Sequence, residues 1–167
     1  ETEKEKMWIS NYIPNVENFQ LQDFEARAKG GKSIRFELSS NTMASHISEF
    51  EVGVYKKAHR HAPGAHILIL DGEGYTLLWH EGQPIKRFDW QRGSFIVPGR
   101  DQFHQHFNTG NIPARYLALR WGSQKYLTGK HFSEGENWWF RTKQGGNQIE
   151  YEDEDPEISR IYRAELE

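Results

Sequence analysis

Five of the chain's eight histidines fall in two groups, His59, His61 and His66 and then His104 and His106. Residues two apart on a strand point to the same side. His59 and His61 would therefore form a pincer whose rings can meet one ion, and His104 with His106 could repeat it from another strand. Neutral imidazole donates to Fe, Mn, Ni, Cu or Zn at about 2.0–2.2 Å, so several rings must converge. One His-x-His pair is a weak signal and could be a polar loop. Two such groups flanked by strand and turn patterns make a metal site the expectation.

Other residues are weighed against that centre. Gln102 shares the face of His104 and His106 if the strand extends that far, and could orient a ligand. Arg60 points away from the His59/His61 pincer and reads as solvated or ion-paired. Glu73 reads as a turn residue and His80 as exposed. His46 and His131 are isolated and read as having no site role. The glycines at 72 and 74 are turn glycines, since no helix follows them to make a phosphate loop.

The chain has no cysteine, which excludes disulfides, thiolate ligands and a cysteine nucleophile. With 167 residues it suits one domain with its own core. Charged residues are 27% and no run approaches the ~20 apolar residues of a membrane span. A net charge of -3 gives no electrostatic case for nucleic acid. Aromatic residues reach 14%, enough to wall a pocket for an organic ligand. The charged start, "ETEKEKMW", carries no signal-peptide pattern, and without an initiator Met it reads as a trimmed or released segment. A cytoplasmic location is the default.

The elements that must position the histidines read as strands. "SIRFELSS" and "SEFEVGV" alternate, the latter placing Phe50, Val52 and Val54 on one face. "HILIL" runs into "DGEG", a hairpin signal, and then "YTLLWHE". "IKRFDW", "GSFIVPG", "FHQHFN" and "ARYLALRW" follow, separated by turns. In the last, Leu117, Leu119 and Trp121 share a face assigned to the core, with Tyr116, Ala118 and Arg120 facing outward or toward a subunit interface. Many short strands with no helix between them favour an antiparallel sandwich or a closed barrel. "NVENFQLQDFEARA" could give a short N-terminal helix. At the other end Asp155 is a fitting N-cap, Pro156 follows at the first helical position, and Ile158, Ile161, Tyr162 and Leu166 recur at helical spacing. Trp138, Trp139 and Phe140 should cover a barrel mouth or join a dimer interface.

The His-rich region resembles the cupin superfamily, small double-stranded β-helix barrels. The first cupin motif runs Gly, five residues, His-x-His, three or four residues, Glu, six residues, Gly; here Gly53, His59, Arg60, His61, His66 and Gly72 follow that order. The second runs Gly, five residues, Pro-x-Gly, two residues, His, three residues, Asn; here it is Gly93, Pro98, Gly99, His104 and Asn108. Spacings depart by one residue in places, and His66 stands where the family has glutamate. The resemblance implies an all-β jelly-roll barrel, a single-domain, cupin_2-like conserved barrel over residues 33–125. An N-terminal extension over 1–32 and a C-terminal extension over 126–167, with a helix about 156–166, complete the expected organisation. By position it implies metal ligands His59, His61 and His104, with His66 in the glutamate slot. His106 would ligate or act beside the metal, and His106 and Gln102 become the candidates for proton handling.

Imidazole ligands leave the charge of a divalent metal uncancelled, which suits an anionic chelating substrate. The resemblance therefore implies a dioxygenase acting on an aromatic, phenolic or dicarbonyl acid, with Fe(II) favoured and Mn, Ni, Cu or Zn open. The alternatives are a non-redox isomerase, lyase or hydrolase, and a non-catalytic metal or small-ligand binding protein. A small-molecule substrate and a homodimer are expected, with no nucleic acid or membrane partner.

Overall fold

A computed structural model describes residues 6–61, 64–123, 125–126 and 140–167. Two sheets face each other. The first holds β1 (Met7–Ser10), β2 (Gln22–Asp23), β3 (Lys32–Leu38), β4 (Met43–Phe50), β6 (Ala65–Asp71), β9 (Phe95–Ile96) and β11 (Ala114–Trp121), in the order β1-β3-β4-β11-β6-β9 with β2 on β3. The second runs β12-β5-β10-β7-β8, from β5 (Ala58–His59), β7 (Glu73–Trp79), β8 (Lys86–Gln91), β10 (Phe103–Asn108) and β12 (Gln148–Ile149). The pairings are antiparallel except β1 on β3, which is parallel. This is the expected all-β jelly roll, with β1 and β2 joining one sheet and β12 the other.

The "DGEG" stretch does not close a hairpin. β6 pairs with β11 and β9, whereas β7 pairs with β10 and β8, so the chain crosses between sheets there. Gly72 makes the crossing at φ 89°, with Asp71 Oδ1 accepting from its amide and the Ala114 backbone against it. A short turn signal specifies the bend and not its partner strand. The true hairpin is β7–β8, whose loop carries Gly82 at φ 73°.

One end of the interior is apolar, built from Phe50, Ile67, Ile69, Leu78, Trp90 and Ile96. The second sheet is also covered on its outer face. There α1 (Pro156–Glu165) lays Tyr162 against Tyr75 and Phe107. Its N-terminus is as expected: Asp155 accepts from the Glu157 amide at 3.0 Å and Pro156 follows. Of the helical stripe, Tyr162 is buried and Ile158 packs beside it, while Ile161 and Leu166 stay exposed. Phe107 stacks between Tyr55 at 5.0 Å and Tyr75 at 4.5 Å. Covered on both sides, all six residues of β10 are buried. Phe107→Ala is therefore expected to cost about 3–5 kcal/mol in urea unfolding, against a small change for a surface replacement such as Phe88→Ala.

Residues 15–28, expected as a short helix, form none. Residues 11–21 cross the outside of the first sheet, where Phe19 meets Phe36 edge-on at 5.1 Å and Ile13, Val16 and Leu21 join the same cluster. Trp138, Trp139 and His131 lie outside the described residues; Phe140 is exposed.

Candidate metal centre and cationic cavity

Short β5 and fully buried β10 deliver the central histidines, and their register places His104 directly across from His59. His61 follows β5 and turns its ring to the same point. The three rings lie 4.1 Å (His59 to His104), 4.9 Å (His61 to His104) and 5.7 Å (His59 to His61) apart, centre to centre. One nitrogen from each falls within 4.8 Å of the others, close enough to share an ion.

The hydrogen bonds set the tautomers. His59 Nδ1 is 3.3 Å from the Lys57 carbonyl and His104 Nδ1 is 3.2 Å from the Gln102 carbonyl. A carbonyl only accepts, so both rings carry their proton on Nδ1 and present a bare Nε2, the state a metal ligand needs. Burial, with like-charged neighbours behind it, holds both rings well below the ordinary histidine pKa. The donor set fits a divalent transition metal.

His106 shares the His104 face, 5.7 Å ring to ring, but lies outside the three-nitrogen group. Its Nδ1 is 2.8 Å from Thr76 Oγ1, which also accepts from Trp90 Nε1 at 3.0 Å. Its Nε2 is buried with no hydrogen-bond partner among the described residues. Burial, then the Lys56 charge, pushes the ring down to about 3, so it is neutral. Gln102 is not aimed at the centre by its side chain: Oε1 accepts from the Gly99 amide at 2.9 Å, and only its carbonyl serves the site, through His104.

His66 is not brought to the cluster. It sits on the outward face of β6, exposed, with its ring 5.6 Å from Phe95. The glutamate slot therefore projects away from the other three histidines. Arg60 stands as expected, paired with Glu81 at 2.9 Å and lying over the Phe103 ring. Phe95 and Val97 are exposed.

Of the β11 face assigned to the core, only Leu117 packs on a buried cluster, and the opposite face turns inward. Tyr116 and Ala118 are buried and Arg120 lines the interior, whereas Leu119 and Trp121 are exposed. With β3 and β4, this strand lines a cavity of about 50 Å³ that reaches His59 and His61. Its charged walls are Arg27, Arg35, Lys56 and Arg120, joined by His46, and among the described residues no acidic side chain lines it. His46, read as isolated, belongs to this cavity. The missed signal was long-range: Arg35 lies opposite His46 on β3 and β4, and Ala118 opposite His46 on β11, so these side chains meet only once three strands are in register.

No family model and no curated protein matches the chain. Among solved structures, it resembles oxalate decarboxylase of Lactobacillus farciminis in a formate complex. The TM-score is 0.55 at 17% identity, over 86% of this chain and 41% of that one. It resembles the Cnp3 cupin domain of Schizosaccharomyces pombe with a TM-score of 0.52 at 14% identity, over 65% and 68% of the two chains. The barrel has the cupin fold. The capsular polysaccharide assembling protein CapF of Staphylococcus aureus also shares it, at a TM-score of 0.51 and 12% identity. The chain spans 60% of its own length in that match but only 29% of CapF. At these identities the likeness is one of fold, and the finer cupin_2 assignment has no matching family model behind it. No described helix is long and apolar enough to cross a membrane. In this barrel of cupin fold the three-histidine group sits on the second sheet, where β5 pairs with β10.

Proposed function

We propose that this cupin is a metal-dependent enzyme acting on a small anionic chelating organic acid, with His59, His61 and His104 as the metal ligands. The observation that carries this reading is the convergence of three histidines beside a cavity walled by cations. Fe(II) is the metal we favour, and the reaction we favour is oxygen-dependent. The metal would supply positive charge for a chelating oxygen donor and redox capacity. The chain supplies the rest: uncharged imidazoles that leave the metal's charge intact, a cationic cavity that draws in an acid, and buried walls that limit water. Proton handling falls to His106, whose ring is 5.7 Å from that of His104 and whose buried Nε2 has no hydrogen-bond partner among the described residues. Exposed Met43 and Trp121, opposite one another on β4 and β11, with Leu119 nearby, suit the homodimer expected from the sequence.

The test begins with chelator-treated protein reloaded with Fe(II) without oxygen. One metal per chain is expected. Adding dicarbonyl or phenolic acids should change the spectrum of the loaded protein, and admitting air should then consume oxygen. Turnover without oxygen, with Zn or Ni as effective as Fe(II), would replace the oxidative reading by Lewis-acid chemistry.

A further inference from the structure

Lys56 is 3% exposed, yet among the described residues no carboxylate pairs with it. A buried ammonium is costly unless paired or fully hydrogen-bonded. What holds it is polar but neutral: Nζ donates to Ser48 Oγ and, at 3.0 Å, to Tyr116 Oη. The rings of Phe50 and Tyr116 stand 5.2 and 4.7 Å from the charge. An ammonium has three donors, and two are used. Ser48 passes its own hydrogen to the Lys32 carbonyl at 3.3 Å. Tyr116 accepts from Lys56, and its own O–H meets no acceptor among the described residues. Lys56 and Tyr116 both line the cavity. Two adjacent donors, one charged, thus border one small space, and two oxygens of a single carboxylate match them.

We propose that Lys56 and Tyr116 form a carboxylate-binding subsite in the cavity, separate from the metal position. Arg35 and Arg120 border the same space and add favourable charge. The cavity has room for a carboxylate beside these two donors. Read together with the proposed function, on which this extension rests, the substrate class is a short acid with two oxygen functions. One end would chelate the metal, and its carboxylate would meet Lys56 and Tyr116. Carboxylate binding by Lys56 does not itself require metal, so the two readings can fail separately.

Chelator-treated protein is titrated calorimetrically with acetate and malonate, and in parallel with inorganic phosphate. The wild type is expected to bind the carboxylates and to prefer them to phosphate. Lys56→Met should weaken carboxylate binding at least tenfold while leaving the melting temperature unchanged or higher, since it removes an unpaired buried charge. Tyr116→Phe keeps the ring and removes one oxygen, and should weaken binding about threefold or more. That variant also decides the matter if Lys56→Met does not fold. Lys57→Met, which removes a lysine paired with Glu150 at 2.7 Å, should leave binding unchanged. No carboxylate binding by the wild type, unaltered binding in Tyr116→Phe or in folded Lys56→Met, or tighter binding of phosphate than of carboxylate, would each overturn the proposal. Metal content is read separately on the same wild-type protein, so loss of the metal reading leaves this result standing.

Discussion

His104→Ala is expected to lower metal affinity at least ~100-fold, the upper end of what losing even an outer-shell partner of a ligand costs. His104 is the hub of the group: its ring is the near neighbour of both His59 and His61, and it is 2% exposed. Removing it leaves two imidazoles and a void, and an alanine offers no donor. His66→Ala makes the informative contrast. That ring is exposed on the outer face of β6, so metal content should not change, and stability should shift within the ~0.5 kcal/mol usual for surface replacements. Elemental analysis of both variants after equal exposure to Fe(II) or Zn, with the metal-induced rise in melting temperature as a second readout, separates the two residues. Metal retained by His104→Ala and lost by His66→Ala would move the site to the place the cupin motif reserves for glutamate.

The parts of this site legible in the sequence are those encoded by local spacing. His59 and His61 two apart, and His104 and His106 two apart, announced shared faces because strand geometry is periodic. Asp155 and Pro156 announced the helix start for the same local reason. What spacing could not give was the choice between faces. On β11 both faces carry large apolar or aromatic residues, Tyr116 on one and Leu117, Leu119 and Trp121 on the other, so alternation alone has no sign. The neighbours decide it: Leu117 packs with Ile34, Phe36 and Ile47 under the N-terminal segment, and Tyr116 meets Lys56 within. Lys56 and Lys57 are adjacent and chemically identical, yet one is buried in the cavity and the other is paired with Glu150. The "DGEG" turn was read as a hairpin because turn chemistry is local, whereas the exchange of β6 and β7 between sheets is imposed by β11 and β10. His66 was placed by motif order, and its strand turns it outward.

Metal-free protein is expected to lose stability steeply as pH falls below about 6.5. His46, His59 and His104 are each held well below the ordinary histidine value, first by burial and then by neighbouring cations or histidines, and His106 is pushed down to about 3. The folded chain therefore keeps these rings neutral where the unfolded chain takes up protons. More protons bound in the unfolded state means that stability rises with pH across this window. The contribution is complete above the unfolded value and is lost as pH drops through it toward the folded values. Each ring adds a slope of up to ~1.4 kcal/mol per pH unit. Four together remove several kcal/mol within ~1.5 units, a large part of the 5–15 kcal/mol that holds an ordinary domain folded. Glu154 acts in the opposite direction, since burial, opposed by its bonds from Tyr55 and Gln105, raises its carboxyl, but it is one group against four. Urea midpoints of chelator-treated protein between pH 8 and 4.5 should show a plateau above pH 7 and a fall that begins before ordinary carboxylates titrate. Replacing His106 with asparagine should reduce the slope by about one proton's worth. A midpoint unchanged down to pH 5 would mean that the four rings are not held neutral inside the barrel, and the bare Nε2 atoms assigned to His59 and His104 would go with them.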